Sequence, residues 1–284
     1  MNDLGPPPPP IVQTLPYVAW MLLVSLSFGS FAFAVISRQL TDATIGYLRF
    51  TAASAALIGL FALFGDPGAP AVPLTALTVH GSTAGIANLR AEALVGFLVL
   101  AVVYVVIIRM QAAALIVGAL AIGAAMGTLV VAALGWAPTY QDAVPLIVQM
   151  AMLAVITGGS LAAVVLGHWY LVTPGISERP LVLQARLLVA MLLLQALLFV
   201  TWTTLAGGPG QTPFSSFTTG PVLLVVLRLL VTILFPIVLT AMAWRTALTR
   251  SMESATGLLY INLAAVMAGT IGAAALYISS GILV

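Results

Sequence analysis

The chain has 284 residues, 62% of them hydrophobic and only 6% charged, with a mean hydropathy of +1.19 and a formal net charge of +2. Soluble domains carry about 25% charged residues, so this composition is matched to hydrocarbon and excludes an ordinary water-soluble fold. All nine basic residues are arginine and there is no cysteine, which removes Schiff-base lysines, P-loops, disulfides, iron–sulfur clusters and thiolate chemistry.

Residues 1–15, with Pro6 to Pro10 in a row, read as a proline-rich, disordered N-terminal stub. From there apolar runs recur at about the 20 residues needed to cross a bilayer core roughly 30 Å thick. The expected fold is an all-α, polytopic transmembrane helix bundle filling residues 16–284. Its spans are expected at about 16–37, 44–65, 92–108, 112–134, 145–172, 180–206, 221–244 and 254–280. Val222–Trp244 does not alternate polar and apolar residues, which argues against a membrane β-barrel. The third span is short, and no glycine or proline marks its turn near Arg109 and Gln111. Either a tight hairpin or a re-entrant segment fits there.

The connections sort by charge. Arg38 and Arg49, Arg109, Arg179, and Arg245 with Arg250 fall on one side, and the opposite side carries only Arg90. Arginine near short loops marks the cytoplasmic side, which predicts a multi-pass protein of the cell membrane with both termini extracytoplasmic. The longer outer connections are Asp66–Ala91, which contains His80, and the Gly/Pro/Ser/Thr-rich stretch from Gly207 to Pro213.

Span one also echoes span five. A shift of 129 residues aligns Pro16 with Pro145, Met21 with Met150, Gly29 with Gly158, Ala34 with Ala163 and Val35 with Val164. A parallel four-plus-four duplication is one reading of these matches, and chance in so apolar a chain is the other.

Buried ionisable groups are the first places to look for function, because an arginine at helix centre costs roughly 2.5–3.5 kcal/mol on insertion scales. Arg228 lies about eight residues into span seven, with Pro236 two turns later, and needs protein, a cavity or an anionic ligand to face. Gln195 on a neighbouring span is a candidate partner for it, and Gln149, Gln184 and Asn262 are further interhelical polar groups. His168, beside Trp169 and Tyr170 at the arginine-rich end of span five, is either an interfacial side chain or a contact to haem or quinone. Arg186 and Arg49 share its level.

No carboxylate falls in the middle of a span, which disfavours a proton or sodium pump, and two histidines on opposite sides cannot form a bis-histidine haem site. No metal centre or catalytic constellation is predicted, so classical enzymes are mostly removed. The net charge is too small to point to nucleic acid. Membrane lipids are the expected partners, with other membrane proteins docking on small-residue faces such as Gly123/Gly127 or Gly269/Gly272.

Three readings stand. The first is transport or binding of a small or lipid-like, anionic solute at Arg228, with His168, Arg186, Gln195 and Asn262 as further contacts. The second is a membrane subunit of a redox complex touching quinone or haem near His168. The third is a non-catalytic scaffold or assembly factor.

Overall fold

Long runs of leucine, valine and alanine favour helix, and in hydrocarbon a helix is one of only two ways to bond every backbone group. The computed structural model describes residues 11–68, 84–137, 140–173, 175–204 and 222–284, and they are helical almost throughout. His80, the proline run and the stretch 207–220 lie outside the described residues.

The helices are α1 (Ile11–Leu40), α2 (Ile45–Phe64), α3 (Ala84–Ile107), α4 (Gln111–Trp136), α5 (Tyr140–Val172) and α6 (Arg179–Thr204). Then come α7 (Val222–Leu229), a π-helical turn (Leu230–Leu234), α8 (Phe235–Leu248) and α9 (Met252–Ser280). Counting α7, the π turn and α8 as one continuous rod, eight helices among the described residues are long and apolar enough to span a membrane. The third span is full length: α3 has 24 residues and α4 has 26, and the two make a hairpin. Hydropathy started α3 late because Asn88, Arg90 and Glu92 depress its first turns. Arg90 therefore belongs to a helix and not to a loop. The first helix begins at Ile11.

Local chemistry sets several helix ends. The Thr44 hydroxyl caps α2 by accepting from the Tyr47 amide at 3.4 Å. Gly281, at φ +70°, ends α9 with its N–H on the Tyr277 carbonyl. In the seventh span Pro236 has no N–H, and its ring would crowd the carbonyl four residues back. The chain answers by widening the preceding turn, where the Phe235 N–H reaches back to the Leu230 carbonyl.

The eight spans form two matching halves. At the shift of 129 residues the central helices α1 and α5 pack on each other with equivalent residues facing. A Cβ on Gly29 would sit 1.8 Å from the Ala154 carbonyl oxygen, and one on Gly158 would sit 2.6 Å from the Gly29 Cα. Burial repeats in register around that contact. A shift of 141 carries the ten buried positions of α4, from Ala114 to Trp136, onto ten buried positions of α9, from Ala255 to Tyr277.

On α3, a shift of 138 takes Ala87 and Arg90 to Val225 and Arg228. From within the π turn onward the shift becomes 139, taking Leu94, Phe97, Ala101, Tyr104 and Ile108 to Ile233, Pro236, Thr240, Ala243 and Ala247, again all buried. The π turn is thus one extra residue in the second copy. A shift of 137 takes Tyr47 to Gln184, and these two equivalents bond to each other at 2.7 Å. Neighbour relations follow suit: α1 on α2 matches α5 on α6, α1 on α4 matches α5 on α9, and α4 on α5 matches α9 on α1. This is the arrangement of a parallel duplication related by an axis along the helices.

The glycine contact on that axis generates a prediction. Gly29→Ala must push a methyl group into backbone, so it is expected to lower the thermal midpoint of detergent-purified protein, at an overpacking cost of about 1–3 kcal/mol. Nothing lies within 4 Å of a Cβ built on Gly123, so Gly123→Ala is expected to leave the midpoint unchanged. Equal midpoints for the two variants in a size-exclusion thermostability assay would contradict the placement of the axis.

Candidate functional site

Both halves carry an arginine at the seventh position of their third helix, Arg90 on α3 and Arg228 on α7. Each is buried near the end of the bundle that bears the termini, with side-chain exposure low enough (0% and 5% for the residues) that its charge must be offset locally. The seven other arginines lie toward the opposite end.

Arg90 is offset by a carboxylate, although its Nη1 is buried without a hydrogen-bond partner among the described residues. Its Nε donates to Asp66 Oδ2 at 2.9 Å and its Nη2 to Asp66 Oδ1, a two-point ion pair. The Gly68 amide donates to the same carboxylate at 2.8 Å and holds it in place. Trp20 of α1 and Trp136 of α4 lie with their rings 5.2 and 5.3 Å from the guanidinium carbon, so the cation sits against two aromatic faces. The Trp136 carbonyl accepts from Tyr277 Oη at 3.2 Å and ties the cluster to α9. The carboxylate and the two indole faces pack this cation, which is fully buried.

Arg228 is offset differently. Its Nη1 donates to Thr232 Oγ1 at 2.8 Å and its Nε to the main-chain oxygen of Val284 at 3.4 Å, while Thr232 Oγ1 donates back to the Arg228 carbonyl at 2.7 Å. Six of the chain's seven Asp and Glu side chains lie among the described residues, and none of these six forms an ion pair with Arg228, whose Nε meets Val284, the last residue of the sequence. The position aligned with Trp20 is Gln149, whose Nε2 donates to the same Val284 oxygen at 2.9 Å. Gln195 follows one step out, its Nε2 donating to Gln149 Oε1 at 3.4 Å. Gln195 therefore joins the Arg228 network through Gln149 and Val284 and makes no direct bond to the arginine. Its own Oε1 is buried without a donor.

Arg228 also opens onto a cavity of about 360 Å³ between α7 and α9, walled by Leu224, Leu227, Val231, Gly269, Gly272 and Ala275 among others. Leu224, Leu227 and Val231 are exposed on the outside of the bundle, so the groove faces the surroundings that a membrane protein presents to lipid. A comparison within the chain explains the hollow. Where α9 has Gly269, Gly272 and Ala275, α4 has Thr128, Val131 and Leu134 at the aligned positions. Glycine at 269 is also a condition for the arginine, since a Cβ there would come within 2.6 Å of Arg228 Nη1. Among the described residues, the second half thus places Val284 and Thr232 in place of a side-chain carboxylate at its arginine, beside a groove.

The remaining candidates lie elsewhere. Asn262 is buried at mid-bundle, donating to Ser160 Oγ at 2.9 Å and accepting from Thr240 Oγ1 at 3.1 Å, a tie between α5, α8 and α9. His168 is exposed in a separate groove of about 310 Å³ with Phe50, Trp169 and Tyr260, at the arginine-rich end. Arg186 stacks its guanidinium carbon 5.1 Å from the Trp244 ring and does not line that groove. The structure therefore brings Arg228 and Gln195 into one network and leaves His168, Arg186 and Asn262 in three others.

Sequence reasoning passed over Arg90 and Asp66. The signal was available in the pair Leu89-Arg90 against Leu227-Arg228, at the same distance from the start of each helix. The sequence matches neither a family model nor a curated protein, and the fold matches no solved structure.

The closed site yields a second prediction. Asp66→Asn strands a buried guanidinium, expected to cost about 3–5 kcal/mol, and Arg90→Gln strands a partly exposed carboxylate, expected to cost less. Replacing both with apolar residues (Arg90→Met with Asp66→Leu) is expected to cost less than either single change. A thermal double-mutant cycle in which the costs simply add would show that the pair is not coupled.

Proposed function

We propose that this chain is an integral membrane protein that binds an anionic, lipid-like solute in the groove between α7 and α9, with Arg228 as the charge contact. The observation that carries the proposal is the buried arginine without a side-chain carboxylate, set in the wall of an otherwise apolar groove of about 360 Å³. Burying a guanidinium is costly unless something negative or strongly accepting offsets it. The Thr232 hydroxyl at 2.8 Å and a single oxygen of Val284, the last residue of the sequence, at 3.4 Å hold Arg228 less closely than the two-point carboxylate holds Arg90 in the other half.

The groove supports an amphiphile over a water-soluble anion. Its polar lining is confined to Arg228, Thr232 and Ser279, and the rest is leucine, valine, alanine and glycine. Arg228 lies about 9 Å along α7 at 1.5 Å per residue, within the apolar run Val225–Leu230. If the arginine-rich end faces the cytoplasm, as the distribution of charge implies, the groove opens on the extracytoplasmic leaflet.

Quinone contact at the His168 groove is the second reading, supported by the aromatic walls Phe50, Trp169 and Tyr260 around an exposed imidazole. Redox difference spectra and quinone extraction of purified protein test it, and a preparation without bound quinone removes it.

The main proposal is tested by native mass spectrometry of protein taken from membranes into mild detergent. Wild-type protein is expected to retain an anionic lipid-like adduct. Arg228→Gln and the groove-filling Gly272→Leu are each expected to lose it, and Arg109→Gln, at the far end, to keep it. Retention of the same adduct by Arg228→Gln would refute the assigned contact.

A further inference from the structure

Among the described residues, the seventh span is the one that changes helical type midway, and the change falls directly after Arg228. Sharp changes of helix direction concentrate at proline and at π turns, and here both lie between Leu230 and Pro236. Pro236 brings no N–H to the ladder, so the backbone is least firmly bonded at this point. The first half provides the contrast. There α3 is α-helical without a break from Ala84 to Ile107, and Phe97 stands where the second half has Pro236.

What holds α7 against the bundle is correspondingly little. Of its eight residues, Val225 and Arg228 are the buried ones. The bond from Arg228 Nη1 to Thr232 ties the arginine to the π turn of its own helix, and so does not anchor α7 to a neighbour. The bond that does reach another element is the one from Nε to the Val284 oxygen, at 3.4 Å beyond the usual range for N–H···O. In α3 the equivalent buried pair is Ala87 and Arg90, but that arginine is fixed by Asp66 from outside its helix and by the rings of Trp20 and Trp136. On its outer side α7 is parted from α9 by the groove of about 360 Å³. We infer that α7 is a lid on this groove, pivoting at the π turn and carrying Arg228 between a latched position on Val284 and a swung position that widens the gap to α9. Eight residues at 1.5 Å each make a lever about 12 Å long, so a turn of about 20° moves its tip roughly 4 Å. The purpose of the lid, access to the groove, rests on the binding proposed there. The movement itself does not.

The chain has no cysteine, so paired spin labels on introduced cysteines report without background. Leu223→Cys with Ile261→Cys measures α7 against α9, and Leu89→Cys with Leu120→Cys measures α3 against α4 in the first half. All four positions are exposed. In full-length protein in phosphatidylcholine nanodiscs, pulsed dipolar spectroscopy is expected to give two distances for the first pair, the longer one holding about a tenth of the molecules. The second pair is expected to give one distance. Gly269→Ala is expected to raise the share of the longer distance, because its methyl group would meet Arg228 Nη1 at 2.6 Å and Thr232 Cβ at 2.7 Å. Pro236→Ala, which restores an N–H to the ladder, is expected to lower that share. One distance in both pairs would overturn the lid, and leaves ligand binding at Arg228 to its own test by mass spectrometry. Two distances in both pairs would overturn the π turn as the pivot. The two label pairs decide the matter even if Gly269→Ala or Pro236→Ala fails to fold.

Discussion

A guanidinium inside an apolar bundle has to be offset where it sits, and in this chain the requirement arises twice at equivalent places. Arg90 meets it internally, with a two-point carboxylate and two indole faces. Arg228 meets it with a hydroxyl, a main-chain oxygen and an open groove. The difference between the two outcomes is the main source of functional information in the molecule, because each site acts as a reference for the other. The closed site defines what these arginines bind when the chain supplies the partner itself. At the open site the chain supplies no carboxylate from its own side chains.

The duplicated framework makes that comparison legitimate. Glycines at equivalent positions of α1 and α5 let the two central helices touch at backbone distance, and the other helices are arranged about that contact in matching order. Onto this common plan the second half adds one residue in the π turn, immediately after Arg228. The widened turn accommodates Pro236 and carries Thr232, which holds one arm of the guanidinium. Irregular turns of this kind are frequent at functional sites, and here the reason is local: the same insertion that satisfies a proline also supplies the arginine's nearest side-chain acceptor.

Much of the fold was legible from residues alone. Eight apolar runs, a one-sided distribution of arginine and the shift of 129 residues between α1 and α5 all correspond to features of the bundle. The start of α3 was not legible, because hydropathy averages side chains without knowing that Arg90 and Asp66 cancel each other's cost. Gly123 and Gly127 were read as a packing pair, yet neither has a neighbour at Cβ distance, so that face of α4 looks outward. At the candidate site Arg228 was evident from its apolar surroundings. Gln149 and Val284 were not, since the network that joins them to Gln195 depends on how α5, α6 and the segment after α9 converge. The groove was invisible for the same reason: Gly269 and Gly272 stand out only when α9 is laid on α4.

The central claim is that Arg228 is completed by a ligand, and it is tested most directly by a density map of the protein in native lipid nanodiscs at side-chain resolution. The account predicts elongated density lying between α7 and α9, with a branched end within hydrogen-bonding distance of the Arg228 guanidinium and none beside Arg90. A groove closed by α7 packing directly on α9, or a guanidinium paired at two points with a side-chain carboxylate or with Val284 and no density in the groove, would contradict it.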